Sequence, residues 1–156
     1  MELLVLFQKW FFGSTQGALY MNKRSILIVD DSVTVLKALE NKLGAAGYKT
    51  ATATDGSEAL EQAAKLRPDL VIMDINFPPD ISQGGIAWDG FRIIEWMRYT
   101  GSAGTAPAII ITSDDPEAHR ARALAAGVVA VFPKPISIPD LLGTIAECFD
   151  NCARTR

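Results

Sequence analysis

The stretch Ile26-Leu27-Ile28-Val29-Asp30-Asp31-Ser32, followed by Leu36, Leu39 and Leu43 and closed by Gly47, decides the fold. Four consecutive apolar residues read as a strand buried on both faces, because a strand with one wet face alternates apolar and polar residues. Ser32 is a suitable N-cap, the three leucines recur at helical spacing, and Gly47 closes the helix. A short buried strand leading into an amphipathic helix is half of a βαβ unit.

The same pattern repeats outward along the chain. Leu70–Met73, Ala108–Ile111 and Val128–Phe132 read as further strands that are apolar on both faces. Lys49-Thr50-Ala51-Thr52-Ala53 is half-polar and belongs at a sheet edge. A second helix carries Ala59, Leu60, Ala63 and Leu66 and stops before Pro68, and a third carries Phe91, Ile94 and Met97. A fourth is marked by Ala118, Ala121, Leu124 and Ala125 and ends at Gly127; a fifth by Ile138, Leu141, Leu142, Ile145 and Phe149, with Pro139 tolerated in its first turn. Five βα units without a linker predict an α/β fold: a doubly wound, five-stranded parallel sheet covered on both faces, in the order 2-1-3-4-5.

Composition narrows the function classes. The chain has 156 residues, 49% hydrophobic and 21% charged, which suits one globular domain and is too apolar for a disordered chain. With 15 basic against 18 acidic residues the net charge is −3, so electrostatic capture of nucleic acid is not expected. Cys148 and Cys152 cannot build a disulfide framework, and the single His119 lies far from both, which disfavours zinc. The thiols read as half-buried helix residues in a reducing cytosol.

The strand order locates a site. Ligands of open α/β sheets bind beyond the carboxyl ends of the strands, where the order reverses, here between the first and third strands. Asp30-Asp31 end the first strand and Asp74 ends the third. Three carboxylates in one crevice resist ionising together, and a hard divalent cation such as Mg²⁺ resolves the conflict. Thr112 follows the fourth strand with a hydroxyl, and Lys134 follows the fifth with an ammonium beside Pro135. Such a set can hold a phosphoryl group on a carboxylate: Asp74 as nucleophile, Lys134 and the metal neutralising phosphoryl oxygens, Thr112 donating to one of them. Taken singly, each position has a plainer reading. Asp30-Asp31 serve as a turn and cap, Thr112-Ser113-Asp114 as a cap for the fourth helix, Lys134-Pro135 as a loop pair, and His119 as a helix surface residue. One phosphoryl site accounts for all the others together.

Ile28-Val29-Asp30-Asp31-Ser32, Val71-Ile72-Met73-Asp74, Asp89-Gly90-Phe91, Ile111-Thr112-Ser113 and Lys134-Pro135, in that order, resemble the receiver domain of two-component response regulators. The resemblance covers about residues 24–150. It implies a flavodoxin-like three-layer sandwich in which Asp74 is phosphorylated by a sensor histidine kinase or a histidine phosphotransfer protein. Asp30, Asp31 and Asp74, with the backbone carbonyl of Asn76, would hold Mg²⁺, and the Lys134-Pro135 peptide would be cis. It also implies a cytoplasmic signalling domain rather than an enzyme with a small-molecule product. The first helix would meet the kinase, the phosphorylated form would dock on a protein target, and copies would pair through the fourth and fifth helices. A haloacid-dehalogenase type of enzyme is disfavoured, because Ser32 stands where a second acid is needed. A scaffold-only receiver is disfavoured by the complete acid, threonine and lysine set, and a flavin carrier by the missing phosphate loop after the first strand.

Four features depart from the pattern. Residues 75–88 form an unusually long connection containing Pro78-Pro79, Gly84-Gly85 and Trp88, expected to act as a cover or a partner contact beside the phosphoacceptor. Val131 stands where receivers carry a switching aromatic, while Phe132 next door faces the other side of its strand. Pro133 stiffens the approach to Lys134. Residues 1–23, with Leu3–Phe7 and Trp10–Phe12, read as an apolar extension outside the domain, too short in apolar length to span a membrane. Residues 151–156 read as a tail without an output module.

Overall fold

A computed structural model describes residues 23–77 and 89–154; the extension at 1–22 and most of the 75–88 connection lie outside the described residues. Five parallel strands, β1 (Ser25–Val29), β2 (Lys49–Ala53), β3 (Leu70–Asp74), β4 (Ala108–Thr112) and β5 (Val128–Pro133), form one sheet in the order β2-β1-β3-β4-β5. Helices α1 (Val33–Ala45), α2 (Gly56–Leu66), α3 (Gly90–Thr100), α4 (Arg120–Ala125) and α5 (Ile138–Arg154) follow the strands in turn. No helix among the described residues is long and apolar enough to cross a membrane.

Alternation along the strands builds two cores. Leu27, Val29, Val71, Met73 and Ile110 point to the face covered by α2, α3 and α4. Ile26, Ile28, Ile72, Ile109 and Ile111 point to the face covered by α1 and α5. The central strands β1, β3 and β4 are buried throughout, as their unbroken apolar runs require. Ser32 caps α1 by accepting the Val35 N–H, and Arg67 ends α2 in the left-handed conformation just before Pro68.

Three expectations change. β5 is not buried on both faces: it pairs only with β4, forms the second edge, and leaves Val129 51% exposed. The helical stripe after β4 is displaced. Pro116–His119 form a 3₁₀ turn capped by Asp115, not by Thr112-Ser113-Asp114, and α4 then buries Ala123 while Leu124 is 80% exposed. A 3₁₀ turn advances about 120° per residue against about 100° in an α-helix, so a stripe counted from Ala118 falls out of phase. Finally, α5 runs on to Arg154 and takes in residues read as tail; on it Cys148 is half-buried and Cys152 exposed.

Candidate functional site

The register of the sheet brings the acids together. β1 pairs with β3 so that Val29 lies opposite Met73, which puts Asp30 and Asp74 side by side at the carboxyl edge. Asp30, Asp31 and Asp74 each offer an oxygen, and these atoms lie within 4.8 Å of one another. Asp30 is fully buried and Asp74 is 2% exposed, whereas Asp31 faces solvent. Two buried carboxylates and one open one, all oxygen donors, suit a hard cation that keeps part of its water shell.

β5 delivers the cation of the chain itself. Lys134 follows Pro133, and its N–H donates to the Thr112 carbonyl (2.8 Å), which locks the strand end. Its ammonium lies 2.6 Å from Asp30 Oδ2 and 3.2 Å from Asp74 Oδ2. The Lys134-Pro135 peptide is cis. Asp30 Oδ1 accepts the Ser32 N–H (2.8 Å), and Asp74 Oδ1 accepts the Asn76 N–H (3.1 Å). Thr112 is fully buried at the end of β4, one residue beyond Ile111, the register partner of Asp74; its Oγ1 accepts the Asp114 N–H (3.0 Å).

Burial pushes the Asp74 carboxyl above its ordinary pKa; the Asn76 N–H and the Lys134 charge pull it down and Asp30 pushes it up, with a net rise. Burial alone would lower the Lys134 ammonium, but the hydrogen bond to Asp30 and the charges of Asp74 and Asp30 outweigh it, so its pKa is raised. The hollow thus holds a carboxylate reluctant to ionise beside an amine reluctant to lose its proton.

Two features escaped the sequence reading. Asp114 Oδ2 lies 3.1 Å from His119 Nε2 and 3.5 Å from Asn76 Nδ2, so His119 is a half-buried partner at the rim rather than a plain surface residue. Gly90 of the Asp89-Gly90-Phe91 motif sits directly on β3: a Cβ there would lie 2.2 Å from the Asp74 carbonyl oxygen and 2.7 Å from Met73 Cγ. Only a glycine permits this approach, a signal readable in the residue type but not in its target. Val131 and Phe132 pack on opposite faces, each half-buried.

This geometry has counterparts among known proteins. A family model described as response regulator receiver domain matches residues 26–146. The polar-differentiation response regulator DivK of Brucella anthropi is 31% identical over 78% of this chain and 93% of its own length. The response regulator MprA of Mycobacterium leprae is 34% identical over 77% of this chain; the chain spans only 48% of that relative. Among solved structures, the chemotaxis protein CheY4 of Vibrio cholerae aligns with TM-score 0.70 at 28% identity, over 81% of this chain and 98% of its own. A CheY-like receiver domain protein of Methanospirillum hungatei aligns with TM-score 0.74 at 24% identity, over 86% and 100%, a likeness of fold. With strand order, site geometry and family match in agreement, the chain belongs to the response regulator receiver domains of two-component signalling.

Proposed function

We propose that Asp74 is the phosphoacceptor of this receiver, taking a phosphoryl group from the phosphohistidine of a sensor histidine kinase or a histidine phosphotransfer protein. The observation that carries the reading is the gathering of Asp30, Asp31 and Asp74 within 4.8 Å, with Lys134 between the two buried acids. An Asp74 carboxylate oxygen forms a bond to phosphorus as the phosphorus–nitrogen bond breaks, and the departing imidazole takes up a proton. Lys134 would move its donors from Asp30 toward a phosphoryl oxygen, and Thr112 would donate to another. Asp30, Asp31 and Asp74, with the Asn76 carbonyl, would hold Mg²⁺. That ion supplies charge neutralisation at the phosphoryl oxygens.

In this reading residues 24–150 are the signalling unit, and residues 1–23 and the 75–88 connection are accessories to it. The phosphorylated form acts in the cytoplasm by docking on a protein rather than by turning over a small molecule. The exposed Leu124 and Val129 beside the open β5 edge give such a partner, or a second copy, apolar surface to cover. The net charge of −3 supports protein rather than nucleic-acid partners. Incubation with acetyl phosphate and Mg²⁺, read by intact mass, tests the reading. The mass rises by one phosphoryl group in the wild type and not in Asp74→Asn; equal gain in both would refute it.

A further inference from the structure

α4 is lightly held by apolar packing. It buries Ala123, with Ala126 just past its end, and turns Leu124 to solvent. Its attachment rests instead on two arginines that cross between α3 and α4. From α3, Arg98 donates to the carbonyls of Ala126 and Gly127 at the C-terminal end of α4. From α4, Arg122 Nη2 donates to both carboxylate oxygens of Asp89, at 2.9 and 2.7 Å, and its guanidinium stacks 4.5 Å from the centre of the buried Phe91 ring.

Asp89 is placed to report on the phosphoacceptor. It caps α3 by accepting the Arg92 N–H (2.8 Å), and it closes the long connection from β3. The next residue, Gly90, lies so close to the Asp74 carbonyl that a Cβ would not fit. A displacement of the end of β3, or of the connection, therefore moves Asp89. On β5, Val131 has no aromatic ring to rotate between two positions. The ion pair is half open to water, and such pairs are individually weak, so it is a contact that a modest local change can break.

We propose that the Arg122 clamp on Asp89 and Phe91 is the latch that holds α4 in its resting place, and that phosphorylation of Asp74 releases α4 by shifting Asp89. The latch takes over the relay that an aromatic at Val131 would otherwise supply. The proposal rests on Asp74 being the phosphoacceptor. Phosphorylation adds negative charge and new hydrogen bonds at the end of β3, and the clamp converts that local change into freedom of a helix on the sheet edge.

Hydrogen exchange of residues 116–127 in the full chain tests it, with and without acetyl phosphate and Mg²⁺ and with intact mass recorded in parallel. In the wild type, phosphorylation raises exchange there several-fold. Arg122→Ala raises it to a similar extent without phosphate, and phosphorylation then adds little, while the mass gain at Asp74 persists. Arg122→Lys, which keeps the charge and loses the planar stack, falls between. Arg120→Ala, which loses only the local pair with Glu117, behaves as wild type. A wild-type exchange response in a phosphorylated Arg122→Ala chain overturns the latch and leaves the phosphoacceptor reading standing. An absent mass gain in the wild type overturns the phosphoacceptor, and the latch falls with it.

Discussion

Replacing Lys134 by Met strips the cation from a hollow that holds two carboxylates nearly out of water. The ammonium sits 2.6 Å from the fully buried Asp30 and 3.2 Å from Asp74, which is 2% exposed. Methionine roughly matches the lysine stem, so the loss is electrostatic rather than a matter of packing. Removing one partner of a buried ion pair costs about 3–5 kcal/mol; because the lysine side chain keeps 20% exposure, the lower end, about 3 kcal/mol, is expected near neutral pH. For a chain of this size that corresponds to a fall of roughly 6–12 °C in Tm. Urea unfolding in a chelating buffer across pH is the assay. The raised Lys134 pKa gives stability that is complete below its unfolded value of 10.5 and is lost as pH rises through the folded value. The variant lacks this alkaline loss. The gap between the two proteins also narrows in acid, as Asp74 takes up its proton. A gap under about 1 kcal/mol at neutral pH, or one that stays constant into acid, would refute the account of a buried pair neutralised by Lys134.

The remaining expectations follow from the same contacts. Asp74→Asn removes a carboxylate that burial disfavours, so this variant unfolds at higher urea than wild type near neutral pH without metal. The sign follows from a raised folded pKa: stability is complete below the unfolded value of 3.8 and is lost as pH rises through the folded one, so the two curves converge in acid. Mg²⁺ raises the Tm of the wild type, by an amount equivalent to about 2.7 kcal/mol at a hundred times its Kd, and raises that of Asp31→Asn less at equal concentration. Gly90→Ala forces a Cβ against the Asp74 carbonyl and costs about 1–3 kcal/mol, with slower phosphorylation by acetyl phosphate; Gly44→Ala, with nothing within 4 Å, stabilises α1 by about 0.5–1 kcal/mol in thermal melts. Leu141→Ala costs about 2–5 kcal/mol, whereas Leu124→Ser, at an exposed position, stays within about 0.5 kcal/mol.

The sheet was legible because its signal is local and strong. Unbroken runs such as Ile26–Val29 and Ala108–Ile111 leave no wet face, and Lys49–Ala53 announces an edge by its threonines. The strand order then placed Asp30, Asp31, Asp74, Thr112 and Lys134 at one end of the sheet before any contact was known. The fourth helix was not legible: Pro116 starts a 3₁₀ turn whose period differs from the one counted, and alanines carry little phase information. β5 misled for a related reason. Its apolar run resembles that of a central strand, and only the neighbour count in the sheet exposes one side.

From sequence alone came the α/β class, the strand order and the identity of the acids, because each rests on residue periodicity or on ends of strands that topology must align. Only the tertiary structure decided which charges touch: Lys134 on Asp30 across 104 residues, His119 on Asp114, and Arg122 on Asp89. Those pairings depend on side-chain reach and direction in space, and such long polar side chains leave no periodic trace along the chain because each of their backbones is equally at home on any exposed surface.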